Sequence, residues 1–179
     1  MVDRKDRILV VNPEWTAFAL ANGGSAVLPE KILGRELWSQ ISDPTVRAIY
    51  RLLVERARLG HLVRFRYRCD SPTHRRTFEM NVRAGAEDQV IFDSLLVHDE
   101  ERPSVALLEE GRRRDERMVR VCSWCQRVAL PQGQWVDIEE AVQVMGYLEN
   151  PTLPRMSHGI CPECLKKEFG DTWDEAPPT

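Results

Sequence analysis

The sequence predicts an α+β fold, in which helices precede an antiparallel sheet and a small cysteine-rich module follows. Three observations carry this. Between residues 44 and 58 apolar residues recur at spacings of three and four, and from Val63 they recur at every second position. Four of the five cysteines lie beyond residue 120, in two pairs, Cys122-Ser-Trp-Cys125 and Cys161-Pro-Glu-Cys164. The first pattern is that of an amphipathic helix and the second that of strands with one buried face. The 179 residues suffice for one medium domain and a small one. A module as small as the last third buries little apolar surface of its own, so it needs a covalent or metal staple.

In chain order, Ile8 to Val11 reads as a short strand. Asn12-Pro13-Glu14 then supplies an N-cap, a proline at the first helical position and an acid in the first turn, with Trp15, Phe18 and Ala19 on one face and Asn22-Gly23-Gly24 as the stop. A second short helical stretch covers Pro29 to Leu33. The best helix starts at Ser42-Asp43-Pro44, carries Val46, Ile49, Tyr50, Leu53, Val54 and Ala57 on its apolar face and ends at Gly60. Val63, Phe65, Tyr67 and Cys69 alternate with Arg64, Arg66 and Arg68 in a strand whose arginine side is expected to be solvated, in part paired with Glu79. After Asp70-Ser71-Pro72-Thr73, a second strand alternates Phe78, Met80 and Val82 with polar residues, making a hairpin. Val90 to His98, apolar on both faces, suits a central place in the sheet.

Ser104 to Arg120 reads as a linker helix supported by Glu109–Arg113 and Glu110–Arg114 spacings. Between the cysteine pairs a helix is predicted over Trp135 to Glu149, with Val136, Ile138, Ala141, Val142, Met145 and Leu148 facing the knuckles and Trp124 and Trp135 packing beside them. The predicted domains are therefore 1–100, a linker helix 101–120, a metal module 121–170 and a disordered tail 171–179.

Composition excludes several classes. Apolar residues make up 42% and charged residues 30%, and the longest purely apolar runs are a few residues, too short for a membrane span. The charged N-terminus is followed by Asn-Pro and not by a signal-peptide core, so a cytoplasmic protein is expected. Residues 119–179 carry five Lys and Arg against nine Asp and Glu. Four thiolates around a divalent ion add about two more negative charges. This balance argues against DNA binding, which needs a basic face. No phosphate loop, kinase box, Gly-x-Ser-x-Gly or helix-turn-helix signature is present, so the chain is not expected to be an enzyme.

Each Cys-x-x-Cys turn presents two sulfurs to one point, and two such turns complete the tetrahedral set that zinc prefers, at about 2.3 Å per sulfur. In a reducing compartment such pairs favour metal over disulfide. The 35 residues between Cys125 and Cys161 exceed the roughly 15 to 20 of simpler ribbons, hence the inserted helix. The expected ligands are Cys122, Cys125, Cys161 and Cys164, with His158 as the alternative fourth ligand and Cys69 merely packing. A thioredoxin-like role needs a sustained helix after the pair, and after Cys125 only five residues precede Pro131.

The opening Ile8-x-x-x-Asn12-Pro13-x-Trp15, then Gly34-Arg35-x-Leu37-Trp38 and Arg68-Cys69-Asp70-Ser71-Pro72 with Arg75-Arg76, together with the order of elements, resemble PAS domains over residues 5–98. Cys-x-Trp-Cys, Trp135, an acidic helix and His158-Gly-Ile-Cys161-Pro-Glu-Cys164 resemble a C-terminal module attached to bacterial PAS and other signalling proteins. The resemblance implies a bacterial signal-sensing or adaptor protein that contains structural zinc and acts through a protein partner. A small-molecule ligand would be held by a pocket of Phe18, Tyr50, Phe65, Tyr67, Phe78 and Met80. Homodimerisation is a further candidate. Heme and photoreceptor flavin are not implied, because His61, His74 and His98 lie off the long helix and no Asn-Cys-Arg-Phe motif occurs. The alternatives are an interaction subunit without ligand, and a thiol redox protein using the Cys-x-x-Cys pairs.

Overall fold

The computed structural model describes residues 1–148, 150 and 152–173. The fold is α+β with two sheets, and it divides into two compact units: residues 1–64 with 79–95, and residues 65–78 with 96–179. The division runs across all three strands of the first sheet and gives the hairpin tip to the second unit.

In the first unit, helix α1 (Pro13–Ala21) is capped by the Asn12 side chain, which accepts from the Trp15 amide at 3.0 Å. Its predicted inner face is not inner: only Ala19 is buried, while Trp15 is 43% and Phe18 37% exposed. Ile8 to Val11 is not a strand. Ile8 is buried in an isolated bridge to Val2, which itself bridges Val90, and Leu9 and Val10 are exposed. Helix α2 spans Pro29–Ile32, and α3 spans Pro44–Arg58. In α3 Asp43 caps the Val46 amide at 2.9 Å, and Val46, Ile49, Leu53, Val54 and Ala57 are buried. Gly60, at φ 88°, takes the left-handed turn after the helix that a side chain would resist.

Strands β1 (Val63–Arg68), β2 (His74–Ala84) and β3 (Val90–Glu101) form a sheet in that order. Their short connections make them antiparallel, since a parallel pair needs a long crossover. β3 is therefore an edge and not central, and Leu95, Leu96 and Val97 are exposed on it. Its continuous apolar run mimics a strand buried on both faces.

The second unit corrects two helices. In place of a linker helix, residues 106–108 form one 3-10 turn, Gly111 adopts φ 74°, and β4 (Arg114–Cys122) follows. Exposed Met118 and Arg120 alternate with buried Val119 and Val121, a period of two that the upstream charge spacing obscured. The Arg114 guanidinium, predicted to pair with Glu110, instead donates to the carbonyls of Leu107, Glu109 and Pro154. β5 (Val128–Ala129) follows, and in place of a helix over 135–149 come β6 (Trp135–Val136) and the shorter α4 (Ile138–Val144). Glu149 lies outside the described residues. Leu148, expected in the core, is exposed, and Tyr147 is buried instead. β7 (Leu153–Gly159) then leads into α5 (Pro162–Trp173), which takes in residues 171–173 of the predicted tail; 174–179 lie outside the described residues.

The second sheet has the order β6-β5-β4-β7, with β4 and β7 parallel. Its core joins Leu107, Val119, Val121, Val128, Val136, Ile138, Ala141 and Leu153. No described helix is long and apolar enough to cross a membrane.

Candidate metal centre

The parallel pairing of β4 and β7 places both knuckles. Val121 is in register with His158 and Cys122 with Gly159, so the two Cys-x-x-Cys turns leave neighbouring strands at the same end and at the same level. Paired strands run about 4.8 Å apart, which is already the scale of a metal site. The Ser123 amide donates to the Gly159 carbonyl at 2.8 Å and ties the turns together. The first knuckle is closed by Gln126 N–H donating to the Cys122 carbonyl at 3.0 Å, with Gln126 itself at φ 60°. The second opens α5.

The sulfurs of Cys122, Cys125, Cys161 and Cys164 all lie within 4.8 Å of one another. Cys125 and Cys161 are 3.7 Å apart, close to the edge of a tetrahedron of sulfurs about 2.3 Å from its centre, roughly 3.8 Å. The Cys161 amide donates to the Cys122 sulfur and the Cys164 amide to the Cys161 sulfur, both at 3.4 Å, and the first of these favours a thiolate at Cys122. Cys122 and Cys161 are buried, and Cys125 and Cys164 are half-buried.

The thiols cannot all ionise unaided. Hydrogen bonds from Cys125 and Cys164 pull Cys122 far below the usual thiol range, whereas the same contacts with Cys122 push Cys125 and Cys164 up. A divalent cation removes that conflict by neutralising thiolates that protein groups alone do not. The donor set therefore fits a structural metal such as zinc. His158 is exposed on β7 and is outside the cluster. Cys69 is also outside it, and burial raises its thiol pKa.

Around the centre lies a polar network that sequence reasoning missed. The Asp70 carboxylate is fully buried between Arg68 and Arg102, the latter at 3.2 Å, and accepts the Arg76 amide at 3.1 Å. Arg102 and Arg75 both reach Glu139 on α4, at 2.6 and 2.8 Å. Arg68 is therefore not part of a solvated stripe, although the exposed Arg64 is, meeting Glu79 at 3.5 Å. The local signal was Asp70 between Arg68 and Arg75-Arg76, but its partners Arg102 and Glu139 are remote in sequence.

Glu139 gives a pH dependence. Burial opposes its ionisation, yet hydrogen bonds from Arg75 and Arg102 outweigh that and hold it at about 2, below its ordinary 4.5. A depressed carboxylate stabilises the fold above its unfolded pKa and loses that contribution as pH falls through the folded one. Denaturant midpoints are expected to drop from about pH 5 toward pH 2, and Glu139→Gln should flatten that part of the profile.

The six residues of the expected ligand pocket divide between the units. Phe18, Tyr50 and Met80 belong to the first, and Phe65, Tyr67 and Phe78 to the second. In the second unit Tyr67 stacks on Phe78 at 5.6 Å, and Phe65 lies 5.7 Å from Trp124, which meets Phe169 edge-on at 5.2 Å. Phe65, Trp124 and Phe169 build an aromatic cluster at the first knuckle, of which Trp124 is a member. No protein family, curated protein or solved structure matches this chain.

Proposed function

We propose that this chain is a non-enzymatic signalling adaptor or sensor, in which a structural zinc module is joined to a PAS-like sensory unit and output passes through a protein partner. The four convergent sulfurs carry the reading, since they form a closed set with no ligand position left for substrate, as structural zinc sites do. The PAS-like part of it rests on the sequence resemblance alone. The acidic balance of residues 119–179 favours a protein partner over nucleic acid. Cytoplasmic placement follows the reduced state that the four thiols need.

Elemental analysis and native mass spectrometry of the purified chain test this. One zinc per chain is expected, and a bound small molecule would mark a sensor and its absence an interaction subunit. Duplex DNA should not bind tightly at physiological salt. Tight binding lost on changing Arg64 and Arg66 to serine would replace the adaptor reading with a nucleic-acid regulator.

One observation favours a second reading. Cys161 and Cys164 stand at the start of α5, the placement used by dithiol redox proteins. Reduction of a disulfide substrate by the metal-free chain, turned over at the expense of an added dithiol reductant and abolished by Cys161→Ser, would establish it.

A further inference from the structure

The hairpin tip and the first knuckle meet at one residue. Arg68, the last residue of β1, donates its amide to the Trp124 carbonyl at 2.8 Å and Nη1 to the Cys125 carbonyl at 3.0 Å. Gln126 returns a bond from Nε2 to the Arg68 carbonyl at 3.3 Å. Three consecutive knuckle residues are thus clasped by a residue 54 positions upstream of Cys122. The clasp is itself anchored, because the Arg68 guanidinium is held by the fully buried Asp70 carboxylate.

We propose that Arg68 is a positioning residue of the metal centre, and that metal occupancy and the order of residues 65–78 are thermodynamically coupled through it. This rests on the zinc reading above. Two physical arguments support it. Gln126 sits at φ 60°, a conformation a non-glycine residue holds only where its surroundings over-determine it, and the bond to Arg68 is one such restraint on the turn that aims the Cys125 sulfur. A fixed guanidinium beside a centre that carries about two net negative charges when four thiolates hold a divalent ion also favours the loaded state. Coupling of this kind is reciprocal: what the hairpin gives to metal affinity, the metal gives to the hairpin. It takes the place of the predicted linker helix as the route by which the state of the metal centre reaches residues 65–78.

The test uses the full-length chain. Zinc affinity is measured by competition with a chromophoric chelator, the ligand field by the cobalt(II) spectrum, and order by hydrogen exchange with and without metal. Arg68→Ala is expected to keep one zinc per chain but bind it about 10- to 100-fold more weakly, as for other residues that orient metal ligands, with an altered cobalt–thiolate spectrum. Arg68→Lys, which keeps the charge but not the fork, should recover part of the loss. Arg64→Ala, on the same strand but exposed, should change neither. In the unsubstituted chain, chelation should strip protection from residues 65–78 as well as from β4 and β7, while α3 keeps its own. Unchanged protection of 65–78 on chelation overturns the proposal, as does unchanged zinc affinity in Arg68→Ala. If the alanine variant does not fold, the chelation experiment alone decides. Failure of the unsubstituted chain to bind any zinc would overturn the zinc reading too, whereas full zinc binding with an indifferent hairpin overturns the coupling only.

Discussion

Serine in place of Cys161 is expected to abolish stoichiometric zinc binding, with a loss of affinity well beyond the roughly 10- to 100-fold that follows when only a supporting residue is removed. Cys161 is buried, lies 3.7 Å from the Cys125 sulfur and receives the Cys164 amide at 3.4 Å. A hydroxyl in its place is a poor zinc ligand, and three thiolates would remain around an incomplete shell. Because a metal site of this kind contributes its binding energy to folding, the same variant should lose hydrogen-exchange protection in β4 and β7. Cys69→Ser is the matched control and should keep one zinc per chain. The ligand set would be wrong if Cys161→Ser kept its zinc while His158→Ala lost it. The register argues against that outcome, since His158 stands opposite Val121, one step before the strand end from which the knuckles emerge.

The parts of this structure that were legible in the sequence are those whose causes are local. Helix α3 is written in three adjacent signals: the Asp43 cap, the apolar face from Val46 to Ala57 and Gly60 as the stop. Each cysteine pair is likewise a four-residue motif, and two of them leave little freedom over where the sulfurs must meet. The α+β class and the β1–β2 hairpin followed from a change of period that any short window reveals.

What was misread depends on partners far along the chain. Residues 104–120 carry acid–base spacings that suit a helix, but β4 exists because β7, some forty residues later, offers a parallel edge and a shared core of Val119, Val121 and Leu153. Propensity yields to tertiary pairing in such segments. Trp135 and Val136 close the far side of the same sheet through β5, and α4 begins only after Asp137. The arginine stripe illustrates the same limit within a single strand. Arg64 and Arg68 are equivalent by alternation, yet Arg64 is itself exposed where it meets Glu79, whereas Arg68 meets a buried Asp70. Asp70, two residues after Arg68, is a local signal, but its burial and its second partner Arg102 depend on residues far along the chain.

That difference sets the second large effect. Asp70→Ala is expected to destabilise the second unit by about 3 to 5 kcal/mol, the usual cost of breaking a buried ion pair by removing one partner. The substitution leaves the Arg68 and Arg102 guanidiniums facing a void where a fully buried carboxylate had held both, and it also orphans the Arg76 amide. Asp70→Asn should cost less, because its carbonyl oxygen can still accept from Arg76 and one guanidinium. Arg64→Ala, which removes a largely exposed side chain from Glu79 and Asn81, should cost no more than about 1 kcal/mol. Denaturant unfolding of the zinc-loaded chain, followed by hydrogen exchange in both units, measures all three. Asp70→Ala within experimental error of Arg64→Ala would mean that the charges around Asp70 are dispensable. A cost confined to the metal-free chain would mean that the network matters only when zinc is not already holding the first knuckle in place.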